Sequence, residues 1–517
     1  MSSIELKLDV YSHNFAVSEI SSKARGIVLD YTLSLVEIDY VKKVRYDRER
    51  NKQIIYYEKI SKRVYAAAKK DRSEFRFHIN SLNEFLFHLQ NNGLYENNIK
   101  IVHHDSYESE NMNLSFIDNR IPREDQEEAI QYLSSDSKIK ILTSQTGFGK
   151  TLSANWSLQN INKRTIIIVK GMYVQRWLDD LHQCFKFKKE DIMVVRGSQH
   201  MTTLIELAKE NLLTAKIIII TNTTFRMFID DYEENNQTSM YGCKPIELFP
   251  LLKAGVRLID EVHQDFHLNF KIDLYTHIHT TINLTATLKS DNKFLNKMYL
   301  LMFPIAIRPN EPVYNKYIAV KAFKYHLIEP YKARYKQKGR SSYSHVVFEE
   351  YIMKNKRTCN NYFNMVMDII QKQFVSEYII GQKMIIFCST TEMCTRLTEY
   401  LKNLFIEFDV SRYIAEDNYN VLNTADIIVS TLKSSGTAVD IPNLKTALMT
   451  VAIGSRQANE QAVGRLRVLK KYPGVVPEFI YLVCQDIASH REYHLHKKDV
   501  LSDKILSINE VYTGYKI

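Results

Sequence analysis

SQTGFGKT, residues 144–151, stands directly after a short run rich in β-branched residues, Ile139–Leu142, and directly before a stretch with helical texture. A strand, a glycine-bearing turn and a helix in that order are the context that a phosphate loop requires. Gly147 and Gly149 let the backbone approach a ligand closely and adopt unusual φ, so that successive N–H groups face an anion. The helix N-terminus adds its partial positive charge. Lys150 then stands where it reaches the β- and γ-phosphates of a nucleotide, and Thr151 where its hydroxyl binds Mg²⁺. The strict pattern opens on glycine, and this chain has Ser144 in that place.

Similar runs recur downstream at Thr165–Val169, Ile217–Thr221, Val256–Ile259 and Thr281–Leu284, with amphipathic stretches between them. Strands that are apolar throughout, separated by helices, indicate a parallel sheet covered on both faces. A second series follows at Met384–Phe387, Ile427–Ser430, Ala447–Ala452 and Phe479–Val483. The fold class is therefore α/β, with two parallel-sheet domains in tandem. Residues 289–380, rich in Lys, Tyr and Phe, read as the end of the first domain plus a helical connection. For 517 residues, a prior of ~150 per domain gives about three domains. The boundaries expected are 1–115, 116–310, 311–485 and a basic helical tail over 486–517.

Residues 1–115 differ in texture and read as a small α+β domain. From Val41 to Arg76 there are 13 Lys or Arg against 5 Asp or Glu, interleaved with Tyr46, Tyr56, Tyr57 and Tyr65. Ser81 and Glu84 have the spacing of a capping box. Leu82, Phe85, Leu86 and Leu89 then share one helical face, and Gly93 is placed to end that helix. The formal net charge of +10 suits a polyanionic partner and equally a solvated basic surface.

Asp260-Glu261 closes the run Val256–Ile259, about 110 residues after the phosphate loop. A carboxylate at a strand's carboxyl end can hold Mg²⁺ opposite a phosphate loop, and the next one can orient and deprotonate an attacking water. Alone, two acids at a strand end would read as solvated; the upstream loop gives them a partner. His490 and His494 share a helical face at i,i+4, but HREYH lacks the zinc-protease order, and a solvated basic helix is the expectation there. Six scattered cysteines without a CxxC pair read as buried, reduced thiols. The longest apolar runs are far below the ~20 residues of a membrane span, and no basic flank with an apolar stretch marks a signal peptide. A cytoplasmic protein without membrane partners is expected.

Together these residues resemble a superfamily 2 helicase, and more narrowly the UvsW-like branch-migration helicases of bacteriophages, from about Ile121 to Arg467. The resemblance implies RecA-like domains. It assigns Arg123 and Gln126, in IPREDQEEAI, to the adenine-reading Q motif, and Ser144, Gln145, Thr146, Gly147, Phe148, Gly149, Lys150 and Thr151 to ATP. TIIIVKGMYVQRW (Thr165–Trp177), with Lys170 where proline is usual, and ITNTTF (Ile220–Phe225) correspond to segments that touch the nucleic-acid backbone. DEVH (Asp260–His263) is motif II, with Lys150, Asp260 and Glu261 catalytic and Asp260 on Mg²⁺ beside Thr151. Thr285-Ala286-Thr287 couples hydrolysis to movement through His263. MIIFCSTTEM (Met384–Met393) resembles motif IV. STLKSSGTAVDIP (Ser430–Pro442) resembles motif V, with Asp440 on the ribose. QAVGRLRV supplies Gln461 for coupling and Arg465 as the arginine finger; Arg467 is the second candidate, because Val468 stands where the pattern has its last arginine.

The implied activity is ATP-dependent DNA helicase or translocase action on forks, displacement loops and Holliday junctions, in phage recombination, repair or replication. The N-terminal domain is expected to bind nucleic acid and the protein to act as a monomer. Two other readings remain open at this level: an RNA-directed superfamily 2 helicase, and a nucleotide-binding scaffold without turnover. Intact Lys150, Asp260, Glu261 and Arg465 count against the scaffold.

Overall fold

A computed structural model describes residues 3–47, 52–144, 147–235, 239–309, 316–337, 342–414, 417–418, 420–432 and 441–517. The apolar runs of the first series pair into a six-stranded, wholly parallel sheet. Its order is Ile192–Val195, Ile217–Thr221, Thr165–Val169, Val256–Ile259, Thr280–Thr285 and Ile139–Thr143. Every residue of Thr165–Val169 and Ile217–Thr221 is buried, as strands covered on both faces must be.

The second series forms a seven-stranded parallel sheet. Its order is Val410–Tyr413, Ile427–Thr431, Lys383–Cys388, Leu444–Met449, Glu478–Cys484, Ala319–His326 and Ser507–Lys516. The tandem RecA-like α/β reading holds. Two compact units carry these sheets: Met1–Asp39 with Lys59–Pro312, and Tyr40–Glu58 with Val313–Ile517.

Four strands of the sheets were not expected. Ile192–Val195 and Val410–Tyr413 are short sheet edges with partly exposed faces. Ala319–His326 lies within the stretch read as a connection. Residues 486–517, read as a helical tail, comprise helix Ala488–Leu501 and then strand Ser507–Lys516, which pairs with Ala319–His326. That edge strand exposes much of its surface, so it lacks a long apolar run.

The N-terminal region is α+β. Its sheet runs Ala67–Ala68, Phe75–His78, Asn14–Ser18, Leu6–Val10, Ile99–His103, antiparallel except for the last pair. Helices Ser22–Leu33 and Leu82–Asn91 accompany it. Gly93 does follow the second helix at φ +78°. The capping box does not form: Ser81 Oγ donates to His78 O (2.8 Å), and no side chain caps the helix.

This region shares its core with the first parallel sheet. Tyr65, read with the basic tyrosine-rich stretch, is buried against Phe270 (5.2 Å between ring centres) and Phe266 (6.2 Å). The side chains of Tyr46, Tyr56 and Tyr57 lie outside the described residues. A fully buried ionic cluster crosses the same seam: Asp273 meets Arg257 Nη1 at 2.7 Å and His78 Nε2 at 2.8 Å. Burial alone would raise the Asp273 carboxyl, but the Arg257 guanidinium and then His78 hold it well below the usual carboxylate range. Removing one member of such a pair leaves a buried charge, at a cost of roughly 3–5 kcal/mol. Arg257 lies on the strand that ends at Asp260, so the N-terminal region is joined to the strand bearing the motif II acids. All six cysteines are buried and unbridged. No described helix is long and apolar enough to cross a membrane.

Candidate nucleotide and nucleic-acid site

Five strands of the first sheet end in the segments singled out in the sequence. Ile139–Thr143 leads into the phosphate loop, Thr165–Val169 to Lys170, Ile217–Thr221 to Asn222, Val256–Ile259 to Asp260, and Thr280–Thr285 to the Thr-Ala-Thr triplet. Because the sheet is wholly parallel, all five lie along one edge, the carboxyl edge where open α/β sheets bind ligands.

Gly147 (φ +91°) and Gly149 (φ +98°) adopt the left-handed backbone expected of them, and helix Lys150–Ile161 begins immediately. A Cβ at Gly149 would stand 2.5 Å from Gln126 Nε2. Ser144 is 1% exposed, and its N–H donates to Thr285 O (3.1 Å), joining the loop to motif III. Lys150 Nζ donates to Ser144 O (2.9 Å). Gln145 and Thr146 lie outside the described residues.

Gln126 was expected to read adenine. In this structure its Nε2 donates to Phe148 O (2.7 Å) and its Oε1 accepts from Arg123 N (3.0 Å). Arg123 Nη2 donates to the same Phe148 carbonyl (2.9 Å). Both Q-motif residues therefore brace the phosphate loop from below.

Asp260 Oδ1 accepts from Glu261 N (2.9 Å), and its Oδ2 accepts from Trp177 Nε1 (3.0 Å). Burial, and then the charge of Glu261, raises the Asp260 carboxyl against the pull of Lys150; burial raises Glu261 as well. A divalent cation bound there would relieve that excess of negative charge. The Asp260 carboxylate and Thr151 hydroxyl are hard oxygen donors of the kind Mg²⁺ takes. Glu261 has φ +51°, a strained backbone for a residue with a Cβ, costing of order 1–3 kcal/mol. His263 Nδ1 lies 2.7 Å from Thr285 Oγ1 and 3.3 Å from Glu261 Oε2. Thr285 Oγ1 in turn donates to Thr287 O (2.8 Å). Glu261, His263, Thr285 and Thr287 thus form one connected chain from the strand-end acids to the Thr-Ala-Thr triplet.

Sequence reasoning quoted Trp177 only as the end of a backbone-contacting segment. It lies on the buried face of helix Val174–Cys184 with Val174, Leu181 and Cys184, where a tryptophan reads as core. The available signal was its indole N–H, which needs an acceptor once buried. Lys170, in place of proline, pairs with Asp265 Oδ2 (3.2 Å), which also accepts from Asn222 Nδ2 (3.3 Å). Beside His263 opens a cavity of ≈ 520 Å³ whose lining includes Arg63, Arg226, Asp230, His267 and Lys271.

In the second unit, strand Lys383–Cys388 and helix Thr391–Leu404 flank Ser389-Thr390 of motif IV. Residues 433–440 of motif V, Asp440 among them, lie outside the described residues. Gln461 is on helix Arg456–Val463. Past its end Arg465 is buried at 9% exposure, Arg467 is partly exposed, and Val468 is 59% exposed. The histidine helix is not the solvated one expected: His490 (2%), His494 (6%) and Lys497 (1%) are buried. His494 bonds Glu510 of strand Ser507–Lys516, His490 bonds Tyr343 OH, and Lys497 donates to Ile453 O, partners that come from distant parts of the chain.

Residues 120–290 match the family model described as ResIII, type III restriction enzyme, res subunit. That span, a third of the chain, holds every first-sheet motif residue from Arg123 to Thr287. It supports a helicase-type ATPase of superfamily 2. No curated protein matches the chain. Among solved structures, S. cerevisiae Dbp5 bound to RNA and ADP BeF3 is similar at 13% identity, over 76% of this chain and 91% of that one, with a TM-score of 0.48. A fragment assigned as an HsdR subunit of a type I restriction enzyme from Vibrio vulnificus YJ016 is similar at 14% identity, over 97% of this chain and 89% of that one, with a TM-score of 0.49.

Proposed function

We propose that this protein is an ATP-dependent DNA helicase or translocase acting on branched DNA, in the manner of UvsW-like branch-migration helicases. The observation that carries the reading is the gathering of phosphate loop, acid pair, His263 relay and two backbone-contact segments on one sheet edge. The matching family's name, a restriction-enzyme subunit, favours DNA over RNA.

In this reading the loop amides and Lys150 hold the nucleotide's phosphates, Glu261 orients the attacking water, and an arginine of the second domain meets the γ-phosphate on closure. Thr151 and Asp260 would hold Mg²⁺, which neutralises charge on the β- and γ-phosphates when bound. His263 and Thr285 pass the state of Glu261 to motif III. Lys170, Asn222 and Arg226 stand at the edge where a strand's phosphates would lie; such contacts make binding largely independent of sequence. The protein acts as a monomer.

ATP turnover measured in parallel with single-stranded DNA, a four-way junction, a displacement loop and RNA tests this. Stimulation is expected to be strongest with the branched DNAs. Preferential stimulation by RNA would replace DNA as the substrate, and no stimulation by any of them would remove the motor reading.

Trp177→Phe tests the hydrogen bond to Asp260. It should raise the Mg²⁺ concentration for half-maximal turnover roughly tenfold, about the worth of one hydrogen bond to a charged group, ~1.5 kcal/mol, with turnover at saturating Mg²⁺ largely kept. An unchanged Mg²⁺ requirement would leave Trp177 as core alone.

A further inference from the structure

Helix His345–Lys354 carries no sequence motif, yet its buried face holds two polar side chains one turn apart. Glu349 is 0% exposed and His345 6%. Neither is accounted for by packing alone, since a buried carboxyl is costly unless its oxygens are bonded.

Glu349 spends both oxygens on the segment after strand Lys383–Cys388. Its Oε1 accepts from Ser389 N (2.7 Å), and its Oε2 accepts from Thr390 N (2.8 Å) and Thr390 Oγ1 (2.8 Å). Thr390 Oγ1 also accepts from Met393 N (3.1 Å), capping helix Thr391–Leu404. The carboxylate therefore sets both residues between strand and helix in motif IV.

His345 reaches a different segment. Its Nδ1 accepts from Ala452 N (3.1 Å), just past strand Leu444–Met449. One residue on, Ile453 O accepts from the buried Lys497 Nζ (2.9 Å) and from Asn459 Nδ2 (3.3 Å). At Gly454 a Cβ would stand 2.7 Å from the Tyr493 ring. Ser455 then caps helix Arg456–Val463, which bears Gln461 and leads to Arg465 and Arg467. The run from Ala452 to Ser455 is thus held at every residue, by His345 at its start.

The two side chains are neighbours without a hydrogen bond between them: His345 Nε2 lies 3.6 Å from Glu349 Oε1. Tyr343 OH bridges His345 Nδ1 (2.6 Å) and His490 Nε2 (2.7 Å), and His490 Nδ1 accepts from Cys484 N (3.1 Å). Backbone N–H donation to both Nδ1 atoms places each ring's proton on Nε2. Burial keeps both rings neutral, holding His345 down at about 3 and His490 well below its ordinary value.

We infer that Glu349 and His345 are positioning residues, through which one helix without a motif sets motif IV and the approach to motif VI together. The inference rests on the nucleic-acid-driven ATPase reading above. Ser389 and Thr390 of motif IV leave the carboxyl end of a parallel strand, the edge where open α/β sheets meet ligands, and in this inference they contact the nucleic acid; the approach to motif VI sets the arginines and hence turnover. The two residues therefore act on different kinetic constants.

ATP turnover of the full chain, titrated with single-stranded DNA, separates them. Glu349→Gln keeps size but turns an amide donor against the N–H of either Ser389 or Thr390, whichever oxygen it replaces. It should raise the DNA concentration for half-maximal stimulation about tenfold and change turnover at saturating DNA less than twofold, since small misplacements of contacting groups are costly. His345→Ala should do the reverse, lowering saturated turnover about tenfold at an unchanged DNA requirement. His345→Asn, whose Oδ1 can accept from Ala452 N, should restore it. Melting midpoints measured alongside tell a loss of folded protein from a change of constant. Should Glu349→Gln not fold, Glu349→Asp, which keeps the carboxylate but shortens its reach to Ser389 and Thr390, is read in the same way.

A wild type that no DNA stimulates overturns the functional reading and this inference with it. A stimulated wild type whose variants lose both constants alike, in step with lost folded protein, overturns the inference alone. So do variants that change neither constant, or a His345→Asn that behaves as His345→Ala.

Discussion

Lys150→Ala is expected to bring ATP turnover down by ~10²–10³-fold or more, the scale for losing one preorganised donor to developing charge. Lys150 lies at the start of helix Lys150–Ile161, with its ammonium 2.9 Å from Ser144 O across the glycine turn. It is also the chief positive influence on the acid pair, lowering both Asp260 and Glu261. Alanine therefore removes a phosphate partner and leaves two carboxylates to repel the nucleotide. Phosphate release at saturating ATP and Mg²⁺ measures the effect. Near-normal turnover in this variant would mean that the loop is not the hydrolytic site.

The second large effect is expected at motif VI. In a loose phosphoryl-transfer transition state, charge spreads over the γ-oxygens, and an inserted arginine is worth ~10³–10⁵ in rate. One of Arg465→Ala and Arg467→Ala should show a loss of that size, with nucleotide affinity changed much less. The sequence pattern favours Arg465. Its burial at 9% exposure, against a partly exposed Arg467, strengthens the case for Arg467, since a finger has to leave its own domain to reach a phosphate. Single-turnover hydrolysis and nucleotide binding, measured on both variants, assign the role. A loss below tenfold in both would exclude either arginine as the finger.

Of the strands that lie between others, all but Ala319–His326 were legible as runs of buried, largely β-branched residues. Thr165–Val169 and Val256–Ile259 fell where the runs did, because a strand covered on both faces can contain little else. The strands that went unread have exposed or mixed faces, Ser507–Lys516 above all. Their apolar content is too thin to stand out from a loop, and hydrogen bonding to a neighbour distant in sequence defines them. The same limit explains the histidine helix. His490 and His494 are polar letters on a polar helix until strand Ser507–Lys516 and Tyr343 are brought against them, where Glu510 and the tyrosine hydroxyl supply their partners.

Around SQTGFGKT the division is similar. The phosphate loop's chemistry is local: two glycines, a lysine and a helix start within eight residues suffice to present amides and charge to an anion, and the backbone there adopts the φ values that those glycines allow. By itself the sequence determined the α/β class, the strands of the sheet interiors other than Ala319–His326, and the residue types on their carboxyl ends. Only the tertiary structure decided that Gln126 braces the loop, that Trp177 holds Asp260, and that Glu349 and His345 reach motif IV and the approach to motif VI. The physical reason is range. Propensity and periodicity act over a few neighbouring residues, whereas these hydrogen bonds close over separations of 22 to 107 residues and exist only once the strands between them have found their order.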